Sequence, residues 1–144
     1  MSDRLDGEKH DELVAELLEI FKQQDFEILG VSGGLGYPRP TPLFNDGYGD
    51  QEDKTPDIYA YDEKRKAYII GEAKTGANDF ETDHALTQYN VYLDQAYQRG
   101  GGKIYLYIIV PALKVPEFNS LITHYLHREY WGNIVLVSSK KWNQ

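Results

Sequence analysis

The fold is decided by residues 67–74, which read Ala-Tyr-Ile-Ile-Gly-Glu-Ala-Lys. A short run of apolar and aromatic residues that follows a polar segment is typical of a buried strand. Residues 56–61 form a second strand-like run, and a short polar link, Asp-Glu-Lys-Arg-Lys, separates the two. Because a link this short leaves no room for a crossover, the sequence predicts an antiparallel hairpin.

Helical and strand patterns continue on both sides of this hairpin. Apolar residues recur at helical spacing in three segments, which are residues 11–24, 81–99 and 116–129. Three further segments have the composition of strands, namely residues 26–32, 103–110 and 133–139. The order α-β-β-β-α-β-α-β predicts an α/β fold with a mixed sheet flanked by helices, and 103–110, apolar on both faces, is expected inside that sheet.

Length and composition fit one domain over residues 1–144. Of the 144 residues, 41% are hydrophobic and 26% are charged, a balance that supports one core without disulfides or a structural metal. The chain contains no Cys, which excludes a disulfide scaffold and a Cys-based zinc finger. No segment reaches the ~18 apolar residues of a membrane span, and the N-terminal residues are charged. We therefore expect a cytoplasmic protein with no membrane partner.

A long loop rich in Pro, Gly and Asp is predicted at about residues 33–55. Loops of this length are uncommon in a small domain unless they are functional or disordered. The net charge of −8 argues against a basic coat for nucleic acid, although most acidic residues precede residue 73. This asymmetry is compatible with a cation-binding region, a basic partner or a solvated face.

The hairpin carries the residues with the clearest chemistry. Glu72 and Lys74 are two apart on the second strand and therefore point to the same face, and the hairpin can bring Asp57 beside Glu72. Two carboxylates, with the backbone carbonyl of Ala73 between them, offer the oxygen ligands that Mg²⁺ or Mn²⁺ prefers. A nearby Lys can orient water or neutralise charge on a phosphate. The alternative is a solvated Glu–Lys pair of little energetic weight, but the apolar run before Glu72 favours a buried, functional pair.

These residues resemble the PD-(D/E)xK phosphodiesterases, the restriction-endonuclease-like nucleases. The motif is present as Pro56-Asp57 followed by Glu72-Ala73-Lys74, and the resemblance extends from about residue 11 to residue 110. It implies that Asp57 and Glu72 bind a divalent metal, with Ala73 contributing its carbonyl, and that Lys74 is the catalytic lysine.

Further residues extend the resemblance. Gln88 and Tyr92 are similar to the Gln-x-x-x-Tyr element of RecB-type nucleases, which implies a catalytic Gln88 and a DNA contact at Tyr92. Members of this family also use an acid or a His on the first helix, where His10 is the first candidate and Glu16 the second. Arg39, in the long loop, is a further possible DNA contact.

The sequence thus leads to the expectation of a Mg²⁺- or Mn²⁺-dependent nuclease, an endonuclease that hydrolyses DNA and is expected to act as a homodimer. Two alternatives remain open at this stage. The same fold can serve as a non-catalytic module that binds nucleic acid or protein. The net acidity of the chain favours this hypothesis. Asp57 and Glu72 can also act as an acid and base pair on a sugar or another neutral substrate, although the presence of Lys74 two residues after Glu72 argues against this hypothesis.

Overall fold

A computed structural model of the chain describes residues 2–33, 35–40, 55–76, 89, 103–126 and 128–142. Within these residues the chain forms one mixed sheet with helices on its two faces. The strands are Glu27–Val31 (β1), Ile58–Asp62 (β2), Ala67–Ala73 (β3), Lys103–Val110 (β4) and Ile134–Ser138 (β5). The longer helices are Ser2–Gln23 (α1) and Val115–Tyr125 (α2), and 3-10 turns cover Ala112–Lys114 and Arg128–Asn133.

The order of strands in the sheet follows their order in the chain, β1-β2-β3-β4-β5. The pairs β1–β2 and β2–β3 are antiparallel, whereas β3–β4 and β4–β5 are parallel. Ile58 lies opposite Gly71 and Asp62 lies opposite Ala67, which confirms the predicted hairpin. The expected mixed sheet, with residues 103–110 inside it, is likewise confirmed.

α1 covers one face of the sheet. Its buried stripe of Leu13, Leu17 and Phe21 packs against that face. A Cβ at Gly71 would lie 3.0 Å from Leu17 Cδ2 and 3.1 Å from Phe21, so glycine is needed where the helix approaches β3 most closely. The prediction that this helix begins at residue 11 was wrong, because it begins at Ser2. The polar residues before residue 11 carry no apolar period, yet none of them is a proline that would break a helix.

α2 and Tyr89 cover the opposite face. Phe118 and Tyr89 are fully buried there, with ring centroids 5.9 Å apart, and both belong to one core cluster with residues of β3 and β4. α2 ends at Tyr125 rather than at the predicted residue 129, because Leu126 is already extended (φ −100°, ψ 143°). The Leu126 carbonyl instead accepts a hydrogen bond from the indole N–H of Trp131, at 3.1 Å.

Parts of two predictions fall outside the described residues. Within the predicted helix 81–99, Tyr89 alone is described, and it is helical. Of the predicted loop 33–55, the described part ends at Pro40 and resumes at Thr55. No helix in the described part of the chain is long and apolar enough to cross a membrane.

Candidate active site at the carboxyl edge of the sheet

The candidate site lies just before the start of β2 and beside the last residues of β3. Pairing between these strands starts at Ile58 and Gly71, so the backbone N–H of Ala73 has no ladder partner on β2. Asp57 supplies one, because its Oδ2 accepts a hydrogen bond from the Ala73 N–H at 2.9 Å. We call the end of the sheet at which β3, β4 and β5 finish the carboxyl edge.

Glu72 is held against the same residue. The backbone N–H of Asp57 donates to Glu72 Oε1 at 3.3 Å, and the Glu72 side chain is buried, with 2% of its surface exposed. A buried carboxylate is costly unless donors or cations compensate it. The hairpin register therefore places two carboxyl groups side by side in a largely dehydrated position, which is the arrangement predicted from the sequence.

His10 reaches this pair from α1. Its Nε2 lies 3.2 Å from Asp57 Oδ2, and its Nδ1 lies 3.6 Å from Asp11 Oδ1. The hydrogen bond with Asp57 raises the pKa of His10 above its usual value of 6.5, although partial burial acts in the opposite direction. His10 is the first-helix candidate that the structure brings into contact with Asp57.

The pKa of Asp57 is shifted in the direction that favours a carboxylate. Burial alone would raise this pKa, but the hydrogen bond and charge of His10, together with the Ala73 N–H, lower it below its usual value. Asp57 is therefore ionised throughout the neutral range, the form in which a carboxylate binds a cation.

Lys74 lies on the same face of β3 as Glu72 and is also buried, with 7% of its surface exposed. Its backbone N–H donates to the Ile109 carbonyl at 3.0 Å, which extends the β3–β4 pairing by one residue. Its Nζ lies 5.8 Å from the centroid of the Tyr89 ring, within the range of a cation–π contact. Sequence reasoning missed this role of Tyr89, because helical spacing marks it as a core residue and carries no sign of its neighbour.

Glu16, the second first-helix candidate, is directed elsewhere. Its Oε1 accepts a hydrogen bond from Ser139 Oγ and its Oε2 accepts one from the backbone N–H of Lys140, both at 2.7 Å. Two residues along a helix differ by about 200° in direction, so Glu12 and His10 face opposite sides of α1. Glu16 lies on the Glu12 side, toward the end of β5. The structure therefore does not bring Glu16 together with Asp57.

The remaining predicted residues contribute less to this geometry. Ala73 presents its N–H to Asp57, as described above. Arg39 is exposed and follows Pro38, whose carbonyl accepts a hydrogen bond from Val31 N–H at 2.8 Å, so it lies beside β1. Gln88 and Tyr92 lie outside the described residues.

The donor set is compatible with Mg²⁺ or Mn²⁺. Among the described residues there is no group of three or more His, Asp and Glu side chains arranged to hold a metal ion. Mg²⁺, however, is commonly bound by one or two carboxylates together with water and substrate phosphate oxygens. Adjacent carboxyl groups at Asp57 and Glu72 meet that smaller requirement.

Comparisons of this chain with protein-family models, with curated proteins and with solved structures found no match.

Proposed function

We propose that this protein is a divalent-metal-dependent nuclease that hydrolyses DNA phosphodiester bonds in the cytoplasm, built on a restriction-endonuclease-like core. The observation that carries the proposal is the convergence of Asp57, Glu72 and Lys74 at one edge of the sheet. The carboxyl groups of Asp57 and Glu72 would hold Mg²⁺ or Mn²⁺. A cation bound there would supply Lewis acidity toward water and a phosphate oxygen.

Each of the chain's own residues has a distinct task in this proposal. Lys74 is buried on the Glu72 face, so its ammonium can donate hydrogen bonds to a phosphate oxygen or to the attacking water. Such donors are most effective in a site that excludes bulk water, because charge developing on the phosphate is then poorly screened. His10 keeps the Asp57 carboxylate oriented and ionised, and Tyr89 limits the positions open to the Lys74 side chain.

A cleavage assay tests this proposal directly. Purified protein is incubated with supercoiled, linear, single-stranded and branched DNA in Mg²⁺ or Mn²⁺, beside samples with EDTA and a Lys74→Ala variant. Lys103→Ala is the matched control, because Lys103 is exposed at the opposite end of the sheet. We expect cutting that requires metal, is lost in Lys74→Ala and persists in Lys103→Ala.

The opposite result is equally definite. If folded wild-type protein cuts none of these substrates, and neither Mg²⁺ nor Mn²⁺ raises its melting temperature, the nuclease proposal is rejected. Loss of cutting in both lysine variants would instead indicate a general effect of charge or folding.

One observation favours a second candidate, a non-catalytic binding module on the same fold. Asp57 Oδ2 already accepts hydrogen bonds from Ala73 N–H and His10, so Asp57 has a structural task that needs no metal. In that case Asp57→Asn would lower the melting temperature equally with and without Mn²⁺. Under the nuclease proposal it also removes the stabilisation that Mn²⁺ provides.

A further inference from the structure

We propose that four lysines at the carboxyl edge of the sheet form a contact surface for the phosphate backbone of DNA beside Asp57 and Glu72. We call them the carboxyl-edge lysines: Lys9, Lys114, Lys140 and Lys141. The inference rests on the proposed nuclease function and specifies how the substrate would lie on the protein.

The segment that carries two of these lysines is fixed by a buried hydrogen-bond network. Ser139 is 3% exposed; its hydroxyl donates to Glu16 and also accepts hydrogen bonds from the N–H groups of Lys141, at 3.2 Å, and Trp142, at 2.9 Å. The Lys140 N–H donates to the other oxygen of Glu16. The backbone that carries Lys140 and Lys141 is therefore held in place before any ligand arrives, which reduces the entropy lost on binding.

Trp142 links this segment to two other parts of the carboxyl edge. Its indole N–H donates to Glu12 Oε2 at 2.8 Å, and Lys9 Nζ lies 5.0 Å from the centroid of its ring. Its carbonyl accepts a hydrogen bond from the N–H of Ala112 at 2.9 Å. The N-terminal part of α1, the turn after β4 and the segment after β5 are thus neighbours.

Lys114 connects this group to the candidate active site. Gly76, two residues after Lys74, has a φ of +86°, and a Cβ placed on it would lie 3.2 Å from Lys114 Cγ, Cδ and Cε. The aliphatic part of the Lys114 side chain therefore lies across the backbone that leaves β3. Because glycine leaves room for this contact, the two residues bring a second lysine beside the strand that carries Glu72.

The charges of Lys114, Lys140 and Lys141 are available to a ligand. Lys140 and Lys141 are exposed, and none of the three forms an ion pair with another residue in the described part of the chain. Two acidic residues of α1, Glu12 and Glu16, face this segment, and each accepts a hydrogen bond from it.

Two of the cations at the opposite end of the sheet are paired with acidic residues. Lys66 Nζ lies 2.7 Å from Glu63 Oε1, and Arg65 Nε lies 2.6 Å from Asp62 Oδ2, so both are paired within the β2–β3 turn. Lys64 and Lys103 at this opposite end are exposed and form no ion pair within the described residues, so the carboxyl edge differs in that its lysines lie beside the candidate site. DNA is the partner that this arrangement fits, because its phosphates present regularly spaced negative charge.

The spacing of the strands in the sheet is compatible with a DNA strand that crosses the carboxyl edge. Neighbouring strands of a sheet are about 4.8 Å apart, so the segment after β5 lies about 10–15 Å from the Asp57–Glu72 pair. A duplex rises about 3.4 Å per nucleotide along each strand, so this separation corresponds to roughly three or four nucleotides. We therefore expect Lys140 and Lys141 to contact phosphates a few nucleotides from the bond that is cut.

Binding measurements without cleavage test this surface. The test variant is Lys140→Gln with Lys141→Gln, and the matched control is Lys64→Gln with Lys66→Gln in the β2–β3 turn, where both side chains are exposed and the change in net charge is equal. Fluorescence anisotropy of a labelled DNA duplex in EDTA gives the dissociation constant over a range of salt concentrations. We expect the test variant to bind about tenfold more weakly at 0.1 M salt, with a salt slope smaller by about 2, and the control to bind like wild type.

Each other outcome overturns the inference in a recognisable way. Equal weakening in both variants would show a general charge effect, and wild-type affinity in the test variant would show that DNA does not use these lysines. If wild type cuts DNA but the test variant binds normally, the inference fails while the proposed function stands. If wild type neither binds nor cuts DNA, the proposed function fails with it. Loss of binding to phosphatidylserine vesicles with unchanged DNA affinity would assign the surface to a membrane.

Discussion

Replacing Glu16 with Ala tests whether this residue stabilises the domain or binds metal. The variant removes the acceptor of two hydrogen bonds of 2.7 Å, from Ser139 Oγ and from the Lys140 N–H. Hydrogen bonds to a charged group each contribute about 1.5–3 kcal/mol, and part of that gain offsets the cost of burying the carboxylate. We therefore expect a loss of about 2–4 kcal/mol in the free energy of unfolding. In a domain of this size, that loss lowers the melting temperature by about 4–16 °C.

Urea and thermal unfolding, each with and without Mn²⁺, provide the assay. Glu19→Ala is the matched control, because Glu19 is exposed on the same helix and should cost less than about 0.5 kcal/mol. The Mn²⁺-induced rise in melting temperature should be the same in wild type and both variants. If Glu16→Ala leaves the metal-free stability unchanged and abolishes that rise, Glu16 is a metal ligand and the structural role assigned to it is refuted.

Three substitutions and one pH titration test the packing and the charges. Gly71→Ala should lower the free energy of unfolding by about 1–3 kcal/mol, because the new methyl group meets the core side chains of α1. Gly7→Ala has nothing within 4 Å of the new methyl group and should stabilise α1 by up to about 1 kcal/mol. Chemical unfolding measures both effects. Burial raises the pKa of Asp62, but hydrogen bonds from Arg65 and the backbone lower it overall, below its usual value of 3.8. Asp62→Asn should therefore be less stable than wild type at pH 7, and this difference in stability should disappear as the pH falls through the folded-state pKa of Asp62. Because the pKa of His10 is raised, its stabilising effect is complete below pH 6.5 and is lost as the pH rises through the folded-state pKa. NMR titration of His10 should give a pKa above 6.5. A pKa at or below 6.5 would contradict the hydrogen bond to Asp57.

Local patterns carried most of the information about the fold. The hairpin could be predicted because a five-residue polar link between two apolar runs allows few other connections, and the α2 pattern could be recognised from its helical period. The ends of the helices could not be predicted in the same way. The start of α1 has no apolar stripe, and the end of α2 depends on Leu126 and Trp131, whose hydrogen bond belongs to the tertiary structure.

The candidate site was predictable to the extent that it depends on strand register. Pairing of Ile58 with Gly71 necessarily places Asp57 beside Glu72, and a period of two places Lys74 on the face of Glu72. The sequence ranked His10 before Glu16 at this site, but the partners of Glu16 were not predictable, because they depend on which edge of the sheet that side of α1 approaches. The bond between Glu16 and Ser139 joins residues 123 apart in sequence, a separation at which residue patterns carry no information about contact.

The acidity of the chain and the proposed substrate are compatible because charge acts locally. Salt reduces the interaction between exposed charges over about 8–10 Å, so acidic residues at the far end of the sheet affect a phosphate at the carboxyl edge only weakly. At that edge, His10 contacts Asp57 and Lys74 follows Glu72 on the same face of β3, and Lys114, Lys140 and Lys141 add positive charge along the strand ends. Asp11, Glu12 and Glu16 add negative charge at the same edge, and a divalent cation on Asp57 and Glu72 would offset part of the total. Under the proposed function, the distribution of charge along the carboxyl edge, more than the total charge, determines how closely DNA can approach.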